Sequence, residues 1–330
     1  MNEYISTFTT GFGEVIRHAL PMSLKGVSVI SMYDGLVHYR YSGNPSNITA
    51  ISYFNNSYYV ISKYQGKTLN FPAMARSLEK KTLQLLYGKG SFRIRFSREN
   101  HFEKVDNQVV TGTERFICRN SGMRVDRVNP QNEFWFIIRS ENVGFFGQLL
   151  RKRQFTEKNL EKGELRPEFA FLMAVYAEVS PTDTVCDPFA GHGAIPVQLV
   201  KHFGIQNMVI NDLDCGCHDL LKRIPVFSDK RIRITNEDAL ILKSVPSASI
   251  DVIVTDPPWG YYEEIEDIQS FYEKMFKSFR RVLKAGGKAI VLSARKNELI
   301  NAARNEQVTI VNQLDTLVNG KKTALFYLKF

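Results

Sequence analysis

Over residues 91–97 the apolar side chains Phe92, Ile94 and Phe96 alternate with Arg93, Arg95 and Ser97. That period of two predicts a half-buried strand. Around it the first half reads as mixed α and β. The pattern predicts helices over 12–20, 71–87 and 106–121, the second built on Met74, Leu78, Leu85 and Leu86. It predicts strands over 27–31, 35–41, 58–62, 133–140 and 143–149, the last two as hairpin partners. Residues 151–165 are rich in Lys, Glu, Gln and Asn and read as an exposed connector.

Helical periodicity resumes over 167–179, with Pro167 in a first-turn position. Strands follow over 184–187, 208–212, 231–235, 251–255 and 288–293, separated by helical stretches over 194–203, 214–223 and 268–283. This β-α-β rhythm implies a parallel sheet with right-handed crossovers. Strand patterns over 308–317 and 323–330 flank Asn319-Gly320, a strong hairpin signal. The parallel sheet should therefore end in an antiparallel pair.

Composition narrows the class. A chain of 330 residues suggests about two domains. A hydrophobic fraction of 44% with 23% charged residues excludes a wholly disordered chain. Charges interrupt every apolar run, so no membrane span is expected, and the first residues lack the pattern of a secretory signal. The formal charge of +9 invites an anionic partner. Residues 1–150 hold 18 basic and 11 acidic side chains, residues 151–330 hold 25 and 23, so the first half carries most of the excess. Basic residues crowd 63–98, and Arg151-Lys152-Arg153 form a second cluster where the halves meet. Cys118, Cys186, Cys215 and Cys217 include no CxxC. Cys215, Cys217 and His218 fall short of a structural zinc set, so reduced thiols in a cytoplasmic protein, and no metal, are expected.

Candidate chemistry gathers at strand ends. Asp187-Pro188-Phe189-Ala190-Gly191-His192-Gly193 joins the first strand of the second half to its helix. Gly191 and Gly193 permit a tight turn and close ligand approach. The run lacks the Lys-Ser/Thr ending of a phosphate loop, and Pro196 stands where a dinucleotide fingerprint has its third glycine. A carboxylate at Asp187 suits a ligand with an α-amino group. Asp212 closes the next strand, where an acid can bind a ribose diol, and Asp238 follows the third, where it could accept from an adenine amine. Together they describe S-adenosylmethionine. The fourth strand runs into Asp256-Pro257-Pro258-Trp259. Two prolines hold that backbone stiff. Asp256 and the Pro257 carbonyl could accept the two N–H groups of an exocyclic base amine, and Trp259 could stack the extruded base.

Here the second half resembles the class I, S-adenosylmethionine-dependent methyltransferases that carry a (D/N)PP(Y/W/F) motif. Leu283-Lys284-Ala285-Gly286-Gly287-Lys288 is similar to the glycine turn before that family's fifth strand. The 91–97 strand, the helix to Asn120, Met123–Asp126, Asn129-Pro130 and the strands to Leu149 resemble a THUMP domain. Residues 9–41 are similar to the ferredoxin-like segment preceding it, and Glu164–Ala170 to the approach to the catalytic domain. The combination resembles the THUMP-containing RNA guanine-N2 methyltransferases.

The resemblance implies an α/β fold: a Rossmann-like, seven-stranded methyltransferase domain over 167–330, a linker over 151–166 and an α+β ferredoxin-like/THUMP region over 1–150. It implies cofactor contacts from Asp187, Pro188, Phe189, Ala190, Gly191, Gly193, Asp212, Leu213, Asp238 and Ala239. Catalysis would fall to Asp256, Pro257, Pro258 and Trp259, and RNA contacts to Arg93, Arg95, Arg151, Lys152 and Arg153. The partner would be structured RNA, tRNA foremost, bound by a monomer without membrane attachment. His192 and Ala194 depart from the family's usual Ser and Thr. An rRNA substrate, adenine-N6 methylation and a non-catalytic RNA-binding protein are the alternatives. Pro196 and the Asp256 motif disfavour a NAD-dependent dehydrogenase.

Overall fold

The structure is a computed structural model; it describes residues 1–151, 164–261, 265–318 and 320–330. Lys152 and Arg153, most of the expected linker, and Asn319 lie outside the described residues. The chain forms two compact units: residues 1–8 with 20–153, and residues 9–19 with 154–330. Residues 9–19 are thus part of the second unit, although the sequence reading assigned them to the first.

In chain order the first unit's elements are β1 (Asn2–Thr7), α1 (Gly13–Ser23, shared between units), β2 (Ser28–Tyr33), β3 (Leu36–Tyr41) and α2 (Pro45–Thr49). Then come β4 (Asn56–Gln65), α3 (Phe71–Leu78), β5 (Ser91–Arg98), β6 (His101–Phe102), α4 (Asn107–Ser121), β7 (Arg124–Val125), β8 (Asn132–Ile138) and β9 (Val143–Arg151). Among the described residues these strands make one sheet, in the order β2-β3-β1-β4-β9-β8-β5-β6, with β7 beside β5. The antiparallel β4–β9 pairing joins the ferredoxin-like and THUMP-like portions into one continuous surface.

The alternation in β5 has the expected effect. Phe92 and Phe96 enter a core with Phe134, Phe136, Phe146 and the apolar faces of α3 and α4. Asp106 caps α4 by accepting from Gln108 N at 2.7 Å, and Asn70 caps α3 by accepting from Ala73 N at 2.9 Å.

The helix expected over 71–87 stops at Leu78. A buried side chain supplies the reason. Gln148 of β9 accepts from the backbone N–H groups of Leu86 and Tyr87, each at 3.1 Å, and donates to the Tyr87 carbonyl at 2.8 Å. A non-helical segment is thereby satisfied by the sheet, while Leu83 and Leu85 still pack on the core.

The second unit contains α5 (Pro167–Tyr176), β10 (Thr184–Asp187), α6 (Ala194–Phe203), β11 (Asn207–Asn211), α7 (Cys215–Lys222), β12 (Ile232–Thr235) and β13 (Ile250–Thr255). It ends with α8 (Ile268–Val282), β14 (Leu283–Ser293), α9 (Lys296–Asn305), β15 (Thr309–Val318) and β16 (Lys321–Lys329). Seven strands among the described residues pair in the order β12-β11-β10-β13-β14-β16-β15. The first five are parallel, and β16 is antiparallel to both β14 and β15. This is the doubly wound order of a Rossmann-like sheet with an added hairpin. The expected strand at 288–293 begins earlier, at Leu283, so the glycine turn lies within β14.

Alternate residues put Cys186, Val209, Ile253 and Val291 into one core with α8 and α9. Their neighbours Val185, Ile210, Val252 and Ile290 are equally buried, so both faces of the sheet are covered. Phe12 is fully buried and meets the Phe169 ring edge-on at 4.9 Å. Thr316 donates to the Thr10 carbonyl at 2.8 Å. A Cβ on Gly11 would lie 2.0 Å from the Asp315 carbonyl, so only glycine fits this approach. No helix among the described residues is long and apolar enough to cross a membrane.

Candidate functional site

The C-terminal ends of β10, β11, β12 and β13 present the acids singled out from sequence. Asp187 ends β10 and is 1% exposed. Its Oδ1 accepts from Thr255 Oγ1 at 2.7 Å and from Phe189 N at 3.3 Å. Its Oδ2 is buried without a hydrogen-bond partner. Burial pushes the Asp187 carboxyl up to about 7; the Thr255 hydroxyl pulls against this, and the Asp212 charge adds to it.

Asp256 is the residue after β13. It keeps a partly exposed edge, while its Oδ1 is out of solvent and without a partner. Loss of solvent raises its carboxyl well above the usual range, and the charge of Asp187 raises it further, with the Trp259 N–H working the other way. The two carboxylates, one buried and one partly exposed, thus each hold a buried oxygen that nothing in the protein satisfies. Such an oxygen is costly unless a ligand supplies a donor.

The glycine turn is shaped by the neighbouring strand. Asp212 Oδ2 accepts from Gly191 N at 2.6 Å, and its Oδ1 accepts from Asp214 N at 2.9 Å. Each oxygen retains a second lone pair for a diol. Gly193 caps α6 with φ +84°, and a Cβ there would lie 2.9 Å from Leu221 Cδ2. Leu213 is 68% exposed, an apolar surface next to Asp212. Asp238 is exposed and its Oδ1 accepts from Leu240 N at 2.9 Å, turning the chain after β12. Ala239 is buried, its carbonyl accepting from Ser278 of α8 at 2.9 Å.

One organiser escaped the sequence reading. Asn211 is fully buried, and its Nδ2 donates to the Pro188 carbonyl at 3.0 Å and the Glu237 carbonyl at 2.9 Å. Its Oδ1 accepts from Thr235 Oγ1 at 2.9 Å and Glu237 N at 3.0 Å. This amide fastens the loops after β10 and β12 to the end of β11. Its adjacency to Asp212 was the available signal.

The Asp256 loop is held from β14 and α9. Trp259 donates its indole N–H to the Leu292 carbonyl at 3.3 Å, and Arg295 Nε donates to the Trp259 carbonyl at 2.9 Å. Behind them Tyr272 and Ser293 share a buried hydrogen bond of 2.8 Å. Tyr272, Ser293 and Arg295 were not signalled by any motif.

The expected RNA contacts fall in the first unit. Arg93 pairs with Glu133 at 2.5 Å, both half-buried, so much of its charge is already compensated. Arg95 lies 5.4 Å from the Phe102 ring. Arg151 ends β9, and Lys152 and Arg153 lie outside the described residues. No cluster of potential metal ligands forms among the described residues.

The parallel sheet, its glycine turn and the Asp256 loop define a methyltransferase-type α/β domain. Residues 226–323 match a family described as UPF0020, the RMKL-like methyltransferase domain. The chain is 29% identical over 197 residues to the mouse (Mus musculus) "U6 snRNA (guanine-N(2))-methyltransferase THUMPD2", covering 56% of this chain and 36% of that one. It is 27% identical over 229 residues to a Thermus thermophilus "tRNA (guanine(6)-N2)-methyltransferase", covering 66% of this chain and 68% of the relative. The chain therefore spans about a third of the mouse protein and two thirds of the bacterial one. The crystal structure of TrmN from Thermus thermophilus superposes with a TM-score of 0.80 at 21% identity, over 100% of this chain and 99% of that one. The expected combination of a Rossmann-like domain with an N-terminal α+β region is thus the fold of a solved protein.

Proposed function

We propose that this chain transfers a methyl group from S-adenosylmethionine to the exocyclic N2 amine of a guanosine in tRNA. The observation that carries the reading is the pair of unsatisfied, buried oxygens, Asp187 Oδ2 and Asp256 Oδ1, at the ligand-binding edge of a methyltransferase-type sheet. Both relatives named above are guanine-N2 methyltransferases, which supports guanine as the base.

Asp187 would accept from the cofactor's ammonium, Asp212 from the ribose hydroxyls and Asp238 from the adenine amine. Leu213 and Ala239 would flank the adenine, and Pro188 through Gly193 would line the amino-acid end. The bound cofactor supplies an electrophilic methyl on a sulfonium. Asp256 and the Pro257 carbonyl accept the two amine N–H groups and turn the nitrogen lone pair toward that methyl. With the cofactor bound, the amine nitrogen would take its methyl as the sulfonium leaves as a neutral thioether. The amine proton, acidic only as the methyl transfers, would pass to Asp256, which therefore need not be a strong base. Trp259, anchored through Leu292 and Arg295, would stack the base. Alignment and a preorganised polar site do most of the work.

The basic surface of 63–98, with Arg95 and Arg151–Arg153, would position RNA through phosphates. Four scattered cysteines without a CxxC fit a cytoplasmic protein, and a monomer suffices for the chemistry.

Nucleoside mass spectrometry on small RNA from a strain lacking the gene tests the reading. N2-methylguanosine should be lost and return on complementation. Loss of N6-methyladenosine instead would favour the adenine alternative, which the same Asp256 geometry serves.

A further inference from the structure

Arg295 occupies a position that helix chemistry disfavours. It is the N-cap of α9, with φ −95° and ψ 61°, and its side chain makes no capping bond. Ser, Thr, Asp and Asn are the preferred caps, because a short side-chain oxygen can accept from the free N–H groups of the first turn. Arginine offers only donors, and its charge meets the positive end of the helix dipole. Glu298, in the first turn, stands 3.9 Å from the guanidinium, too far for a tight pair. A residue that breaks a local rule is expected to act on something beyond its own helix.

The side chain of Arg295 acts on the Asp256 loop. Thr255, just before the loop, pairs with Val291 of β14. Trp259, at the far end, donates to the Leu292 carbonyl over a long 3.3 Å, and its own carbonyl accepts from Arg295 Nε at 2.9 Å. The Arg295 backbone is fixed in turn, its N–H donating to Ser293 Oγ at 2.9 Å. The guanidinium also lies 4.6 Å from the Tyr261 ring centroid. Lys321 Nζ lies 3.8 Å from the same centroid, so that ring does not depend on Arg295 alone. Between Thr255 and Trp259, Pro257 and Pro258 leave the backbone little freedom. An orientation imposed at the Trp259 carbonyl therefore carries back to the Pro257 carbonyl and Asp256.

We propose that Arg295 is a positioning residue for methyl transfer: its Nε–H, bonded to the Trp259 carbonyl, holds Trp259 and the Pro257 carbonyl in the orientation that the reacting amine requires. The inference rests on the RNA methyltransferase reading above. What counts is the donor at Nε, not the positive charge. Arg295 thus acts on the geometry of the bound amine, and cofactor binding and RNA affinity do not depend on it.

Two substitutions separate the donor from the charge. Arg295→Gln places an amide N–H as many bonds from Cα as Nε is, and removes the charge. Arg295→Met keeps the length and removes both. Transfer of a tritiated methyl to small RNA from a strain lacking the gene gives kcat and KM. Arg295→Met should lose about 10²-fold in kcat, the scale of a misplacement of about 1 Å, while KM for RNA and calorimetric affinity for S-adenosylmethionine stay within about threefold of wild type. Arg295→Gln should recover about tenfold of that loss. In a Trp135→Phe background Trp259 is the single tryptophan, and acrylamide should quench it more strongly with Arg295→Met than with Arg295→Gln. Wild-type kcat in Arg295→Met overturns the positioning role. So does an Arg295→Gln protein as slow as Arg295→Met, which assigns the effect to the charge, and so does a loss confined to KM, which makes Arg295 an RNA contact. All three results leave the enzymatic reading standing. Wild-type protein that methylates no guanosine in that RNA overturns both.

Discussion

Thr255 Oγ1 donates to Asp187 Oδ1 across 2.7 Å, so the last residue of β13 steers the last residue of β10. The bond fixes which carboxylate oxygen is left for a ligand. Thr255→Val keeps the shape and removes the donor. Affinity for S-adenosylmethionine should fall about tenfold, in line with a lost hydrogen bond to a charged group. Isothermal calorimetry at pH 8 measures it; wild-type affinity would show that Asp187 needs no steering.

Cofactor affinity should depend on pH through Asp187. Its carboxyl is pushed up to about 7, so below that pH the empty site holds a proton that an incoming ammonium must displace. Affinity should fall by up to about tenfold per pH unit below 7 and level off above it. Calorimetry at pH 6 in buffers of different ionisation enthalpy should detect proton release. An affinity that stays constant between about pH 5.5 and about pH 8 would exclude this role.

Stability without ligand should carry the opposite slope to that of an ordinary paired carboxylate. The folded protein keeps the Asp187 proton up to about pH 7, whereas the ordinary carboxylate value is 3.8. Between those values the native state binds the extra proton, so stability drains as pH rises through the window. Three units correspond to at most about 4 kcal/mol. Asp187→Asn should therefore raise the cofactor-free melting temperature at pH 8 and leave it nearly unchanged at pH 4. Thermal scans at the two pH values decide the matter.

Asp256→Ala should retain cofactor binding and lose turnover by about 10²–10³-fold, the scale of removing a preorganised polar group. A tritiated-methyl transfer assay alongside calorimetry separates the two effects. Unchanged turnover would remove Asp256 from the mechanism.

Asn211→Ala should cost about 2–4 kcal/mol, because several groups that its amide satisfies are buried or half-buried. Cofactor affinity should fall with it, since the Pro188 and Glu237 carbonyls lose their common anchor. Denaturant unfolding measures the first effect and calorimetry the second.

Legibility followed the physics. The second unit's strands were readable because each is a short apolar run ending in an acid or a turn, and the acids at those ends were readable as a ligand edge. Strand β1 was missed: Asn2–Thr7 offers Tyr4 and Ile5 among polar residues, yet it pairs with both β3 and β4. Helix α9 was missed because Arg295 gives it no side-chain cap bond. The 71–87 helix was overextended because Gln148, some sixty residues later in sequence, satisfies its backbone in another conformation. Asn211, Thr255 and Arg295 act through partners that no local spacing announces.

The Thr316–Thr10 bond closes a sequence separation of 306 residues. At about 5–20 residues per second on the ribosome, residues 9–19 emerge roughly 15 to 60 s before β15 exists to receive them. Thr10 and Gly11 must wait through that interval for their partners on β15, whereas Phe169, the ring partner of Phe12, is made well before it. The second unit therefore cannot be complete until its last strands are made, although its N-terminal segment is among the first residues synthesised.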